Sequence, residues 1–162
     1  MEAYKFILYI IWKFFPAYVA NASPVLLIKK GKPIDFNKKF IDGKPIFGSH
    51  KTVEGFLTGT VVGTIFGYLQ DMNNPLRGVS LSLGAMIGDL LGSFIKRRMG
   101  IESGKSAPIL DQVAFIIGAV TFSSFFSHYS LMEAVTIILV TIPIHIATNL
   151  IAYLLKIKDV PW

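Results

Sequence analysis

The sequence predicts an all-α integral membrane protein with five transmembrane helices. Its N-terminus is expected outside and its C-terminus in the cytoplasm, with a basic cytoplasmic loop after the first helix. Three observations carry this. The 162-residue chain is 52% hydrophobic and only 16% charged, against about 25% charged in a typical soluble chain. Its mean hydropathy is +0.56. Five apolar runs, 3–28, 53–69, 78–95, 112–127 and 134–155, approach or reach the roughly 17–25 residues of a bilayer-spanning helix. They make one membrane domain over 1–162, and the expected location is the cell membrane, multi-pass.

The first run is too long for a cleavable signal peptide, carries Lys13 in its middle, and has no small-residue cleavage site before the lysines that follow. Pro16 predicts a kink in it, as Pro143 does in the fifth run. The connection 29–52 holds Lys29, Lys30, Lys32, Lys38, Lys39, Lys44 and Lys51. The second run places Gly55, Gly59, Gly63 and Gly67 on one helical face, and the third does the same with Gly84, Gly88 and Gly92. Small residues at that spacing let backbones approach closely in a membrane, so both helices should pack tightly, with each other as one candidate pairing.

The connection 96–111 holds Lys96, Arg97, Arg98 and Lys105, and the tail holds Lys156 and Lys158. With an odd number of spans, all three basic segments fall on one side, which the positive-inside rule makes cytoplasmic. The net charge of +6 is therefore read as topogenic and lipid-facing, not as a nucleic-acid footprint. The chain has no cysteine, which excludes disulfides and thiol chemistry.

Ionisable residues inside membrane helices are functional candidates by default. Asp89 lies about two turns from the cytoplasmic end of the third helix, with Ser93 and then Lys96 or Arg97 following on the same face. Asp111 and Glu54 open the fourth and second helices. Asn21 lies toward the cytoplasmic end of the first, and His145, Thr148 and Asn149 lie in the inner half of the fifth. These groups share one depth, which predicts a polar cavity open to the cytoplasm. Two carboxylates beside a basic cluster suit phosphate with Mg²⁺, which takes a few carboxylates and leaves its other positions to water and phosphate oxygens. Lysine and arginine offset the remaining phosphate charge. Asp111 alone would also suit a helix N-terminus by its charge, and Asp89 alone an internal ion pair.

Gly104-Lys105-Ser106 resembles the end of a P-loop, but Met99 stands where its first glycine belongs and no strand precedes it. His50, His128 and His145 have no ligand spacing with one another.

Gly88-Asp89, Ser93, Lys96-Arg97, Gly100-Ile101, Pro108 and Leu110-Asp111 resemble the signature of the CTP-dependent phosphatidate cytidylyltransferases, which runs G-D, S-x-x-K-R, P and a final D. Upstream, Lys51-Thr52 and Gly55-Phe56 resemble that family's K-T-x-x-G-F. The loop, with Pro33-Ile34-Asp35, Asp42-Gly43, Gly48 and Lys51-Thr52, is similar to the short archaeal branch, the CDP-archaeol synthases. Ser49-His50, Val53-Glu54 and Gln112 depart from the usual pattern.

The resemblance implies transfer of CMP from CTP to 2,3-bis-O-(geranylgeranyl)-sn-glycerol 1-phosphate, giving the unsaturated CDP-archaeol and pyrophosphate. It implies Mg²⁺ on Asp89 and Asp111, with Lys96, Arg97 and Lys51 as further catalytic residues. Substrate-binding residues would be Ser93, Thr52, Asp42, Gly48, Ser49, Lys44, Lys105, Asn21 and Asn149. The expected partners are CTP, an isoprenoid ether lipid phosphate and membrane lipids, with no nucleic acid. The alternatives are a cytidylyltransferase for ester phosphatidate and a small transporter or lipid-binding protein. The second is disfavoured by the lack of an internal repeat. A CDP-alcohol phosphotransferase fails because Asp42-Gly43 is followed by Lys44-Pro45.

Overall fold

A computed structural model describes residues 2–161. It has six helices: α1 (Ala3–Lys13), α2 (Phe15–Leu27), α3 (Val53–Gln70), α4 (Pro75–Arg98), α5 (Leu110–Ser123) and α6 (Leu131–Leu154). Among the described residues there is no strand, only two isolated bridges, Pro33 with Thr52 and Lys39 with Pro45. By length and apolarity α4 and α6 can each cross a membrane, and the α1–α2 pair is a third candidate. α5 is apolar but shorter. α3 is 18 residues long, its apolar character diluted by glycine and threonine.

The structure divides the first apolar run where the sequence predicts one helix. α1 and α2 meet at Phe14 with a bend of 55°. Pro16 has no N–H to donate back to the carbonyl of Trp12, so the ladder breaks there. The released carbonyls find other donors. Gln70 Nε2 donates to Trp12 O at 2.5 Å, and Arg77 Nη2 donates to Lys13 O and, at 3.3 Å, to Gln70 Oε1. Lys13 in turn pairs with Glu133 at 2.5 Å, and its ammonium lies 4.9 Å from the centre of the Tyr129 ring. A lysine within an apolar run is thus accommodated at the end of the bundle opposite the long loop. At Pro143, by contrast, α6 continues without interruption.

α4 is the central helix, packed on α2, α3 and α5, while α6 packs on α5 and α1. Both glycine faces are buried, but they mainly meet partners other than each other. On α3, Gly59 faces Met86 and the Ala20 carbonyl, and Gly63 faces Ser82, Ala20 and Pro16. Only at Gly67 and Gly78 does glycine on α3 meet glycine on α4. Gly84 and Gly88 lie instead against Gly118, with Ala114 and Ala119 beside them on α5. A Cβ on any of these glycines would meet neighbouring backbone or side chains at clashing distance. Ile10, Phe14, Leu81, Phe115, Ile116 and Ile137 fill the remaining core. The outward faces of the helices are apolar, as Leu57, Val61, Leu139, Ile146 and Ile151 show, which suits a surface solvated by lipid.

Candidate active site at the loop end

Residues 29–52 fold into an ordered excursion stapled at its base. Ile34 N donates to Lys51 O at 2.8 Å, Val53 N to Lys32 O at 2.9 Å, and Lys32 N to Glu54 Oε2 at 2.7 Å. At its centre Asp35 is buried. Its carboxylate accepts from the backbone N–H groups of Phe47 (2.9 Å), Gly48 (3.0 Å) and Asn37 (3.0 Å). Burial alone would raise the Asp35 pKa, but those N–H donors outweigh it and hold the carboxyl below its ordinary value.

The excursion docks on the end of α4 and on the second connection, 99–109. Arg98 pairs with Asp42 at 3.2 Å, bonds the Pro45 carbonyl, and packs against both the Phe40 and Phe94 rings, which touch edge to face. Lys44 Nζ donates to the Arg98 carbonyl at 3.0 Å, covering the negative end of α4. Gly48, at φ +97°, turns the chain so tightly beside Ser103 that a Cβ there would lie 2.9 Å from Ser103 Oγ and 3.5 Å from Arg97 Nη1. Ser49 Oγ lies 3.4 Å from Ser103 Oγ.

Inside this frame are two acid–base pairs. Lys51, at the foot of the excursion, pairs with Asp89 on α4 at 2.5 Å. Lys96 Nζ donates to both oxygens of Asp111, at 2.8 and 3.0 Å. Asp111 Oδ2 also accepts from Ala107 N at 2.7 Å. Just before it, Leu110 N donates to Pro108 O at 2.8 Å around Ile109, at φ +69°, ψ −55°. That is a γ-turn of the rare, strained kind, and here it carries a β-branched residue. Backbone strain of this sort collects at functional sites, where the surroundings over-determine it.

Ser93, Lys96 and Arg97 are 7%, 9% and 5% exposed, so the basic cluster is largely withdrawn from solvent. Arg97 differs from its neighbours. Among the described residues its guanidinium makes no hydrogen bond or ion pair, and its Nε is buried. The Asp111 carboxylate acts on it only through space, and a buried guanidinium whose donors are unmet is unfavourable unless a ligand of opposite sign completes it.

The structure thus brings Lys51, Thr52, Asp89, Ser93, Lys96, Arg97 and Asp111 to one end of the bundle. Thr52 caps α3, accepting from Gly55 N at 3.1 Å. Asp42 and Lys44 are engaged in holding the excursion to α4. Gly48 and Ser49 line its contact with Ser103. Lys105 is exposed and Asn21 is half-buried on α2. Asn149 bonds His145 at 3.0 Å and Lys158 at 3.1 Å. The carrier role of Asp35 is not visible in sequence, because its partners are backbone N–H groups. The approach of the tail through Lys158 also has no sequence signal.

A helical membrane chain with two carboxylate–lysine pairs at one end, and beside them a buried arginine that makes no hydrogen bond among the described residues, has the make-up of an intramembrane enzyme acting on phosphorylated substrates. Comparison with known proteins agrees. A family model described as "CarS-like: CDP-archaeol synthase" matches residues 3–162. The chain is 47% identical over 154 residues to the CDP-archaeol synthase of Sulfolobus acidocaldarius, covering 92% of this chain and 94% of that protein. It is 41% identical over 176 residues to that of Methanocaldococcus jannaschii, covering 98% and 99%. A solved structure described as "Structural insight into an intramembrane enzyme for archaeal membrane lipids biosynthesis" superposes with a TM-score of 0.81 at 36% identity, covering 88% of this chain and 94% of that one. The chain belongs to the CDP-archaeol synthase family.

Proposed function

We propose that the protein transfers CMP from CTP to 2,3-bis-O-(geranylgeranyl)-sn-glycerol 1-phosphate, releasing pyrophosphate and forming the unsaturated CDP-archaeol. The observation that carries this reading beyond family membership is the buried Arg97, without a hydrogen-bond or salt-bridge partner among the described residues, at the same end of the bundle as the two lysine–carboxylate pairs. Such a site offers a planar fork of donors for phosphate oxygens, with further cations beside it.

The chemistry asks for positioning and charge stabilisation. The lipid phosphate is ionised at neutral pH and needs no strong base. One of its oxygens forms a bond to the α-phosphorus of CTP as the bond from that phosphorus to the bridging oxygen of pyrophosphate breaks in line. The electron pair leaves with pyrophosphate. Arg97, Lys96 and Lys51 would bind the charge that grows on the departing oxygens, and Ser93 and Thr52 would donate hydrogen bonds. The 29–52 excursion would cover the nucleotide.

The donor set suits Mg²⁺. Among the described residues no group of three or more His, Asp or Glu gathers to hold a metal by itself. Two carboxylates with open positions left for phosphate oxygens and water are what Mg²⁺ ordinarily takes. Asp89 and Asp111 would hold it, and when bound it neutralises charge on the reacting phosphates. Lys51 and Lys96 would then exchange their carboxylate partners for phosphate oxygens.

Five crossings are proposed, the bent α1–α2 pair being the first, with the N-terminus outside and the loop end in the cytoplasm. The grouping of Lys51, Lys96, Arg97 and Arg98 at that end supports the orientation. The lipid's tails would stay in the bilayer of the cell membrane, and CTP would come from the cytoplasm. The test is product identification. Protein in detergent micelles is given labelled CTP, Mg²⁺ and either the geranylgeranyl ether phosphate or ester phosphatidate. Label should appear in the ether lipid, and faster than in the ester. Equal or faster labelling of phosphatidate would reassign the substrate, and no labelling of either would overturn the reaction.

A further inference from the structure

The segment after α6 does not run off into solvent. Lys156 adopts φ +57°, a left-handed turn uncommon for lysine. The N–H groups of Ile157 and Lys158 then both donate to the Ala152 carbonyl, at 2.9 and 3.2 Å. This turns the chain back along α6, and Lys158 Nζ reaches Asn149 Oδ1 at 3.1 Å. Asn149 bonds His145 one turn earlier, and the His145 ring lies 5.9 Å from that of Phe115 on α5. α5 and α6 run antiparallel. Asp111 is one turn before Phe115 and Asn149 one turn after His145, so the two polar residues stand across from each other. The tail therefore delivers a half-buried ammonium to the α6 side of Asp111. Burial pushes the pKa of that ammonium down and the nearby Asp111 carboxylate pushes it up, while Lys51 and Lys96 act as further like charges within range.

The position matters because of what else is there. Lys51, Lys96 and Arg97 belong to the loop, α3 and α4 side, where the excursion covers the site. α6 is the peripheral helix, packed on α5 and α1, and its other faces look toward lipid. α2 and α6 are joined by Tyr18 Oη and Thr141 Oγ1 at 2.5 Å, about two turns deeper than Asn149. A substrate whose tails remain in the bilayer has, along this lipid-facing helix, one route by which its phosphate can reach Asp111.

Resting on the reaction proposed above, we infer that Lys158 is a substrate-binding residue for the phosphate of the lipid acceptor, held in place by the His145–Asn149 ladder and the tail's reversal. It would orient the attacking phosphate on the α6 side of Asp111, while the loop-side cations hold the triphosphate.

The experiment is two-substrate kinetics on the full chain in micelles, comparing wild type with Lys158→Met and Lys158→Arg. A lost charge-assisted hydrogen bond corresponds to roughly a 10- to 100-fold effect. The expected result is a rise of that order in KM for the ether lipid phosphate in Lys158→Met, with KM for CTP within about twofold of wild type. Lys158→Arg should recover most of the loss. The inference is overturned if KM for CTP rises instead, or if neither constant moves. It is also overturned if both constants worsen together with a lower melting temperature and arginine gives no rescue, which would make the tail a structural clasp. Wild type that labels no lipid would sink the reaction itself before any variant is compared, and this assignment with it.

Discussion

Lys96 donates to both carboxylate oxygens of Asp111, and the two residues sit at opposite ends of the connection between α4 and α5. The pair closes that connection on itself and leaves the next residue, Arg97, buried with no hydrogen bond or salt bridge among the described residues. Asp111 is fixed from a second direction by Ala107 N, so its carboxylate is held rigidly beside the cluster.

Arg97→Lys keeps the charge and removes the planar fork. Lysine cannot engage two phosphate oxygens in the same geometry. Turnover should fall by roughly 10- to 100-fold, with little change in the thermal melt, because the guanidinium forms no bond that holds the fold together. Steady-state kinetics and a melt by circular dichroism check both halves.

Asp35 organises the excursion through three backbone N–H groups. Asp35→Asn should loosen the loop and expose it to protease, at a cost of about 1–3 kcal/mol. Its folded pKa lies below the unfolded value, so its contribution is fully present above the unfolded pKa and is lost as pH falls through the folded one. Wild-type protein should therefore become sensitive to cleavage within 29–52 only in acid, below the ordinary aspartate range, while Asp35→Asn should be sensitive at neutral pH. An acid-tolerant protease and mass mapping of the cuts read this out.

Gly88 precedes Asp89 and lies against the backbone of Ala114 and Gly118. A methyl group there must push α4 and α5 apart. Gly88→Ala should destabilise by about 1–3 kcal/mol and also lower activity, since Asp89 and Asp111 stand on the two separated helices. Gly43→Ala is the comparison: Gly43 has open space around it, so its cost is confined to the positive φ of +76°.

Arg77 satisfies the carbonyl released at the α1–α2 break, far from the loop end. Arg77→Met should destabilise the fold by about 1–3 kcal/mol for an unmet buried acceptor, read as a lower melting temperature. KM for both substrates should stay unchanged at low temperature. A changed KM would mean that the break communicates with the site.

The helices were readable because their apolar runs are long and their connections basic. The break at Phe14 had its cause in Pro16, yet the separation into two helices depended on Gln70 and Arg77 arriving from elsewhere. Glycine spacing showed that α3 and α4 pack closely but did not name their partners. Gly118 stands alone on α5 with no glycine in register, and nothing in its own run marks it as the complement of Gly88. In the site, Asp89, Ser93, Lys96 and Arg97 were predictable as one face of a helix. Which lysine meets which carboxylate was not, since that depends on the excursion folding back through Asp35. In the sequence Lys158 carries only a topogenic charge, because its return rests on a left-handed lysine that no sequence pattern announces.

The central claim is that Asp89 and Asp111 stand where the phosphates react. It is tested most directly by pyrophosphate release in micelles from wild type, Asp89→Asn and Asp111→Asn, each supplied with CTP, Mg²⁺ and the geranylgeranyl ether phosphate. Wild type should release pyrophosphate only when all three are present, and each variant, though folded, should lose roughly 100-fold or more. Release that survives both substitutions would keep the reaction and place its chemistry elsewhere in the chain.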